Sequence, residues 1–203
     1  APTFLEAAGI SIPKMMIGKA LTDILKDKTT VKREAAFIGM ERHAGCREGG
    51  KGYPCRAIRT KEYLYIRNFD PDRWPAGSPE RKHCVRHIRY GEVDPSPTKT
   101  VMMDEPKYAK LADLAFGKRP AEELYLISND PHQLRNLADA KEFQKTRDLL
   151  RQQLDDHLKK SGDPRLTGKP ALWDYYPFYR APKFPGWKVA PMPAEFQKAH
   201  KVK

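Results

Sequence analysis

Residues 55–69 have the sequence Cys55-Arg-Ala-Ile-Arg-Thr-Lys-Glu-Tyr-Leu-Tyr-Ile-Arg-Asn-Phe69. The first half alternates small or apolar residues with basic ones, and the second half is rich in aromatic and branched residues. Alternation with a period of two is typical of a β-strand, and the pair Lys61-Glu62 is long enough for a tight turn. The segment therefore predicts a β-hairpin whose more solvent-exposed face carries Arg56, Arg59 and Arg67.

Elements on either side of the hairpin extend it into a small sheet. Residues 35–40 and 123–127 are short apolar runs that predict two further strands. Residues 141–160 predict an amphipathic helix that ends at Gly162 and Pro164, since one face carries Phe143, Leu150, Leu154 and Leu158. The expected fold class is α+β: an antiparallel sheet of about four strands, packed by this C-terminal helix.

Shorter helices are predicted at residues 2–9, 18–25 and 105–116. A further helix of one or two turns is expected after Asp130, which has proline at the next position and Gln133 three residues on, as in a capping box. Asp139 and Glu142 repeat this signature before the long helix.

Two regions lack the periodicity of regular elements. Residues 70–104 are dense in proline and glycine and predict a long loop, and long loops in compact domains are commonly functional. Residues 166–203 are rich in proline, aromatic residues and lysine, which predicts a tail that wraps over another surface.

Composition narrows the class of protein. The 203 residues carry a formal net charge of +12, concentrated in residues 41–90 and 159–203, which favours an anionic partner such as nucleic acid, anionic lipid or sulfated polysaccharide. No apolar run reaches the length of a membrane helix, so no membrane partner is expected. No signal peptide is recognised at Ala1, although a chain that starts without methionine could have lost an upstream segment.

Cysteines leave two questions open. Cys46, Cys55 and Cys84 are an odd count, so at most one internal disulfide can form, and the pairing is undetermined. Histidines near Cys46 and Cys84 suggest zinc ligands, but the spacing is unlike that of structural zinc sites, and no metal site is predicted.

Several short motifs follow one another along the chain. The first are Ala1–Ile10 and Gly18-x-x-Leu21-x-x-x-Leu25, and the later ones are Met40-Glu-Arg-His43, Tyr53–Tyr65, Glu123-Leu-Tyr125, Asn129-Asp-Pro131 and Asn136-Leu-Ala138. Their order resembles the C-terminal region of the sulfatase family, in which Ala1–Ile10 is similar to the helix that follows the catalytic core. Loop motifs at residues 41–43, 71–77 and 96–99 look most like the bacterial heparan N-sulfatase (sulfamidase-like) branch.

The resemblance implies three parts. Residues 1–33 would be the helical end of the catalytic domain, residues 34–165 the C-terminal subdomain with its loop at 70–104, and residues 166–203 the tail. The subdomain would normally dock on a larger α/β catalytic domain, where a formylglycine attacks sulfur beside a calcium ion. This chain contains neither the Cys/Ser-x-Pro-x-Arg motif nor the metal-binding carboxylates, so no catalytic residue or cofactor is expected within it. By the same analogy the protein would be periplasmic or secreted.

A sulfated sugar requires cations, hydrogen-bond donors and an aromatic surface at the rim of its pocket. The expected substrate-binding residues are His43, Arg42, Arg73, Trp74, Thr98 and Lys99. The alternatives are that Glu41 and Arg42 pair with one another or with the catalytic domain, that Trp74 anchors its loop by packing under Pro71 and Pro75, and that Lys99 is solvated.

A rival hypothesis is a free-standing basic module that binds nucleic acid or acidic polysaccharide. Tyr63, Tyr65 and Phe69 could then stack on bases. These residues share one alternating face of the hairpin, however, and are more simply the core side of the sheet, so nucleic acid is the less expected partner.

Overall fold

The computed structural model describes residues 1–26, 34–166, 172–176 and 191–194. The chain divides into two compact units, Ala1–Ala35 and Ala36–Lys203. The first unit contains helices α1 (Pro2–Ala7) and α2 (Thr22–Leu25), so both predicted helices exist but are shorter than expected. Gly9 follows α1 with φ of +70°, a conformation that glycine adopts without steric cost and that ends the helix.

The second unit is built on a four-stranded sheet. Its strands are β1 (Ala35–Met40), β2 (Cys55–Thr60), β3 (Tyr63–Asn68) and β4 (Glu122–Leu126), and their spatial order follows the chain. Pairing is antiparallel from β2 to β3 and from β3 to β4. The predicted hairpin and the α+β class are confirmed.

Helix α5 (Gln144–Ser161) covers one face of this sheet and contacts β2 and β3. Cross-strand neighbours Ile58, Tyr65 and Leu124 form a fully buried row, and Leu154 of α5 is equally buried. Leu150 and Leu158 are buried on the same helix face, as the periodicity predicts. Gly162 ends α5 in the left-handed conformation, with φ of +70°.

The prediction that Arg56, Arg59 and Arg67 share the more solvent-exposed face of the hairpin was wrong. Arg56 and Arg67 lie in register with each other and with Glu122, so this charged row shares the face that α5 covers. Arg56 is only 6% exposed, and Arg67 pairs with Asp155 of α5 at 2.7 Å. Arg59 is three residues from Arg56, and successive side chains of a strand alternate, so it lies on the opposite face.

The segment after β4 also departs from expectation. No helix follows Asp130, although its carboxylate accepts hydrogen bonds from the backbone of Leu134 at 3.0 Å and Arg135 at 2.8 Å. The carboxylate thus closes an isolated turn in place of a helix cap. The second predicted cap, at Asp139, is also not formed. A 3-10 turn at Lys141–Phe143 precedes α5, and its N-cap residue is Ala140, whose side chain makes no hydrogen bond.

The predicted loop at 70–104 is irregular only in its first part. Helix α3 spans Pro97–Asp104, because Ser96 caps its first turn by accepting from the Lys99 amide at 3.1 Å and Pro97 suits the first helical position. Helix α4 (Ala109–Phe116) follows a 3-10 turn at Pro106–Tyr108 and confirms most of the helix expected at 105–116.

Most of the tail lies outside the described residues, as does part of the predicted 1–33 segment. Of the tail, the structure describes a 3-10 turn at Leu172–Tyr175, with Asp174 buried. In the described residues, no helix is long and apolar enough to cross a membrane.

Candidate functional site

Two loops of the second unit, residues 41–54 and 70–96, are joined by the buried guanidinium of Arg47. Its Nε donates to the carbonyl of Trp74 at 2.7 Å, and its Nη2 donates to that of Pro75 at 2.7 Å. Its Nη1 donates to Glu92 Oε1 at 2.8 Å. A buried guanidinium is costly unless its donors are satisfied, so Arg47 fixes the path of both loops.

His43 is held at the surface by the same carboxylate. Its Nδ1 lies 2.8 Å from Glu92 Oε2, and its side chain is 77% exposed, against 12% for Glu92. Arg47, Glu92 and His43 therefore form a chain from a buried cation, through a carboxylate, to an exposed imidazole. Because Nδ1 is engaged, Nε2 is the ring nitrogen that remains for a ligand.

Arg42 is turned towards the backbone. Its Nη1 donates to the carbonyl of Gly50 at 3.1 Å, and its Nη2 donates to that of Tyr176 at 2.8 Å. Burial lowers the pKa of Arg42, and the nearby Asp174 carboxylate partly offsets this effect. The alternative in which Arg42 pairs with Glu41 is not what the structure shows.

Arg73 faces two carboxylates and one carbonyl. It lies 2.9 Å from Asp174 and 3.3 Å from Asp70, and it donates to the Gly52 carbonyl at 2.9 Å. Asp174 also accepts from the Gly52 amide at 2.8 Å. The charge of Arg73 is therefore largely neutralised within the protein, and this residue supports the loop more than it offers a free cation.

Trp74 belongs to an aromatic group. Its ring meets Tyr90 edge-on with centroids 6.0 Å apart, and Tyr90 stacks on Phe116 at 4.9 Å. The ammonium of Lys118 lies 5.4 Å from the Trp74 centroid, a cation–π distance. This packing agrees with the alternative that Trp74 anchors its loop.

Thr98 and Lys99 are adjacent on α3 but differ in environment. Thr98 is exposed, whereas Lys99 is only 5% exposed. Lys99 Nζ donates to the carbonyls of Arg89, Tyr90 and Val93 at 2.6–2.8 Å, and burial lowers its pKa. All three ammonium donors are thereby used, so the alternative of a solvated Lys99 was wrong, and Lys99 orders the loop that carries Glu92.

A second network of ion pairs joins the end of β1 to the residues that follow α5. Arg56 donates to Glu41 and to Asp163 at 2.7 Å each, and Arg165 also pairs with Glu41. Burial favours the neutral form of Asp163, but hydrogen bonds from Arg56 and from the Arg165 amide outweigh it and lower the pKa of Asp163. The strand end that leads to His43 is thus tied to the residues that follow α5.

The structure brings four of the six predicted residues into two clusters, which meet at the consecutive residues Arg73 and Trp74. Arg47 and Glu92 connect His43 with the Trp74 backbone, and Asp174 lies beside both Arg42 and Arg73. Thr98 stands apart from them, and Lys99 reaches them only through the backbone. The arrangement suits contact with a polar ligand at His43 and rigid support behind it.

Neither of two cavities outside these clusters is lined by the predicted residues. One, of about 380 Å³, is lined by Arg67, Asn68, Phe69, Pro71, Ala121, Glu122, Arg151 and Asp155. The other, of about 340 Å³, is lined by Leu126, Asn129, Asp130, Arg135, Leu137, Glu142 and Phe143. In the described part of the chain, no group of three histidine, cysteine or carboxylate residues could hold a metal ion.

Sequence reasoning missed Arg47, Glu92 and Asp174. Each lies in a loop, where no periodicity distinguishes a buried charged residue from a solvated one. The only signal for Glu92 was a carboxylate within a basic, proline-rich stretch, which could have been considered as a partner for the surrounding arginines.

Comparisons with known proteins give a consistent result. No family model matches the chain. Two curated proteins, both named ulvan-active sulfatase and both from Formosa agariphila, are 27% and 29% identical to it over 166 and 167 residues. The chain is thus similar in sequence to part of two sulfatases. Each match covers 80% of this chain but only 28% or 25% of the relative, so the chain spans about a quarter of the sulfatases it matches.

One solved structure has a similar fold. A crystal structure of a candidate sulfatase from Bacteroides thetaiotaomicron has a TM-score of 0.51 and 19% identity, covering 88% of this chain and 28% of that one. At this identity the match speaks for the fold alone. The four-stranded sheet with its helices is therefore the architecture found in one region of a sulfatase.

Proposed function

We propose that this chain is the C-terminal part of a sulfatase that acts on sulfated glycans, where it contributes to the substrate rim and not to cleavage of the sulfate. One observation carries the proposal: similarity to sulfatases extends over four fifths of this chain but over only a quarter of the relatives. The remaining three quarters of such a protein would supply the catalytic domain.

The proposed partner of this chain is that catalytic domain, and strand β1 supports the assignment. Phe37 stacks on His157 of α5, but Ile38 and Met40 on the opposite face of the strand are 51% and 43% exposed, although a strand this apolar is ordinarily covered. In the described part of the chain, β1 is also an edge strand of the sheet and has β2 as its one neighbour. A neighbouring domain packed on β1 would bury these side chains.

Cleavage would take place in the catalytic domain, with a formylglycine as nucleophile and calcium as the metal ion. This division fits the residues described here, in which the three thiols are not placed for hydrolysis: Cys46 and Cys84 are buried, and Cys55 lies within the sheet. The parent enzyme is proposed to be periplasmic or secreted.

His43 is the proposed substrate contact that the geometry supports best. Its ring is exposed, and its orientation is fixed by Glu92, which is itself held by Arg47. Arg42 and Arg73 would support this rim, with Trp74 at its edge. With Nδ1–H donating to Glu92, Nε2 accepts from a sugar hydroxyl when the ring is neutral and donates to a sulfate oxygen when the ring is protonated, in either case without first losing side-chain freedom.

The finer proposal is that the parent enzyme belongs to the heparan N-sulfatase branch, on the basis of the loop motifs at residues 41–43, 71–77 and 96–99. Full-length protein would be assayed for sulfate release from N-sulfated glucosamine oligosaccharides and from ulvan oligosaccharides. Preference for the N-sulfated substrate supports this branch, and preference for ulvan places the enzyme with its curated relatives.

The broader proposal is tested on the coding sequence directly upstream. A Cys/Ser-x-Pro-x-Arg motif followed by a continuous reading frame into Ala1 is expected, together with sulfatase activity of the full-length protein. An upstream frame that encodes an unrelated domain would contradict it. The rival nucleic-acid module lacks support because Tyr65, one of its three proposed stacking rings, is fully buried.

A further inference from the structure

Two of the three cysteines meet inside the second unit. Cys46 Sγ and Cys84 Sγ lie 2.9 Å apart, although the residues are separated by 38 positions in the chain. Both side chains are buried, with 0% and 1% exposure. A disulfide requires a sulfur–sulfur distance of about 2.05 Å, so a movement of less than about 1 Å would suffice to join them.

The backbone around the pair leaves room for two sulfur atoms and little else. A Cβ at Gly91 would collide with both Sγ atoms, so the absence of a side chain there makes space for them. At Gly77, where φ is +91°, an added Cβ would lie 3.1 Å from the Cys46 Cβ and 2.9 Å from the Gly91 nitrogen, so a side chain is excluded there as well. Two glycines thus shape a small compartment around the cysteines.

Hydrogen bonds hold the two cysteine-bearing segments in register. The Ser78 amide donates to the Cys46 carbonyl at 2.7 Å, and the Val85 amide donates to the Gly45 carbonyl at 2.9 Å. These backbone hydrogen bonds, and not only the side-chain rotamers of the two cysteines, therefore bring the sulfur atoms close together.

We propose that Cys46 and Cys84 form a disulfide that clamps together the two loops carrying His43 and Glu92, and that Cys55 remains a free thiol. Cys55 occupies a strand position opposite Asn68 in the register of the sheet, apart from this compartment. The clamp would hold the loop that ends at Arg47 against the loop that leads to Glu92.

The chemistry is a two-electron oxidation. Cys84 is the better nucleophile, because hydrogen bonds from the Cys46 thiol and from backbone amides lower its pKa to about 6 despite burial. Its thiolate attacks one sulfur of an external disulfide such as oxidised glutathione, and the Cys46 thiolate then attacks the mixed disulfide. The products are the internal disulfide, two reduced glutathione molecules and no net loss of atoms. Because both sulfurs are buried in the folded chain, we expect the external disulfide to react during refolding, when the two segments are already paired but still open to solvent.

The experiment is oxidative refolding of the full 203-residue chain. Reduced, denatured protein is refolded in oxidised and reduced glutathione, and free thiols are alkylated in denaturant. Each cysteine lies on its own tryptic peptide, residues 43–47, 52–56 and 83–86, so the pairing can be assigned by mass. We expect one free thiol per chain and peptide 43–47 linked to peptide 83–86.

A control follows from loop lengths. Cys46 and Cys55 are only nine positions apart, so chain entropy in the unfolded state favours that pair, and only folding selects Cys46 with Cys84. Cys55→Ser should keep the cross-link, and Cys84→Ser should abolish it. Three free thiols in the wild-type chain, or a link between peptides 43–47 and 52–56, would overturn the proposal. The wild-type measurement decides even if a variant fails to fold, and it is independent of sulfatase activity.

Discussion

At the scale of single residues, His43 combines high exposure with a fixed orientation. The other predicted cations are engaged within the protein: Arg42 with backbone carbonyls, Arg73 with Asp70 and Asp174, and Lys99 with three carbonyls. Substitution of those three would disturb the loops as well as any ligand. His43 is therefore the residue at which a contact with substrate can be tested separately from folding.

A first prediction concerns the effect of His43→Ala on substrate turnover by the full-length enzyme. Loss of one charged hydrogen bond to a sugar should lower kcat/KM for a sulfated oligosaccharide about 10- to 150-fold, because binding energy from remote groups also holds the ester in line for attack. Turnover of a small aryl sulfate, which cannot reach His43, should be nearly unchanged. Steady-state kinetics with both substrates measure the difference.

His132→Ala is the matched control, since His132 is an exposed histidine in the loop after β4. It should leave both substrates unaffected. An equal loss on both substrates for His43→Ala would indicate a role in folding or domain docking, and no loss on either would place the pocket elsewhere.

Residue types in the candidate site could be predicted from sequence, but their roles could not. Motifs identified the loops around residues 43, 73 and 99, whereas the partners that determine each role are distant in the chain. Asp174 lies about a hundred positions from Arg73, and nothing local indicates that they pair. The buried state of Lys99 likewise depends on how the loop at 89–93 folds back on α3.

At the scale of secondary-structure elements, α5 and the hairpin were predictable because their periodicity spans many residues. The short strands β1 and β4 were also predictable from their apolar runs, whereas helix α3 and the turn after β4 were not. The motif at Asp130 is used as a turn because the chain reverses to place Leu137 against β4, where its amide donates to the Leu124 carbonyl at 2.8 Å. Tertiary packing overrides a local capping signal in this way.

The packing of α5 gives a stability prediction. Leu154 is fully buried between the helix and the sheet, so Leu154→Ala should lower the free energy of unfolding by about 2–5 kcal/mol. Leu149→Ala is the control, since Leu149 on the same helix is 58% exposed and should cost no more than about 0.5 kcal/mol. Urea unfolding of the chain measures both, and similar losses for the two variants would mean that this face is not buried.

A second prediction at this scale concerns the ion pair between β4 and α5. Glu122 pairs with Arg151 and also accepts from Tyr65. Burial opposes ionisation of Glu122, but hydrogen bonds from Arg151 and Tyr65 outweigh it, so its pKa in the folded state is lower than the ordinary value of 4.5. A lowered carboxyl pKa adds stability that is complete above the unfolded-state pKa and is lost as pH falls through the folded one.

Glu122→Gln should therefore lower the free energy of unfolding by about 1–3 kcal/mol at pH 7. The difference from wild type should shrink as the pH falls below about 4.5, where Glu122 of the unfolded chain takes up a proton, and should vanish once the pH falls below its lower folded-state pKa. Urea titrations at pH 7 and at successively lower pH provide the measurement. A difference that stays constant with pH would mean that the ion pair does not contribute.

At the scale of the whole molecule, the sheet and α5 form a core of their own, yet β1 and the loops present surfaces that suit a neighbour. Ile38 and Met40 are exposed on one face of β1, and His43 is held at the surface in the loop that follows this strand. A domain with its own core but with chemistry supplied elsewhere accounts for both features. Docking through β1 would bring the His43 loop near the catalytic domain.

The last prediction follows from the proposal that the catalytic groups lie in a separate domain. The purified 203-residue chain should release no sulfate from an aryl sulfate or a sulfated oligosaccharide and should not bind calcium, because the nucleophile motif and the carboxylate cluster lie outside its sequence. The full-length protein should do both, and serves as the positive control in the same sulfate-release assay and calcium titration. Core packing by α5 lets the isolated chain be checked for folding by its cooperative urea transition, so that inactivity cannot be attributed to unfolding. Measurable sulfate release by the folded chain would require a catalytic group among the residues described here, and the assignment of His43 to the substrate rim alone would then be wrong.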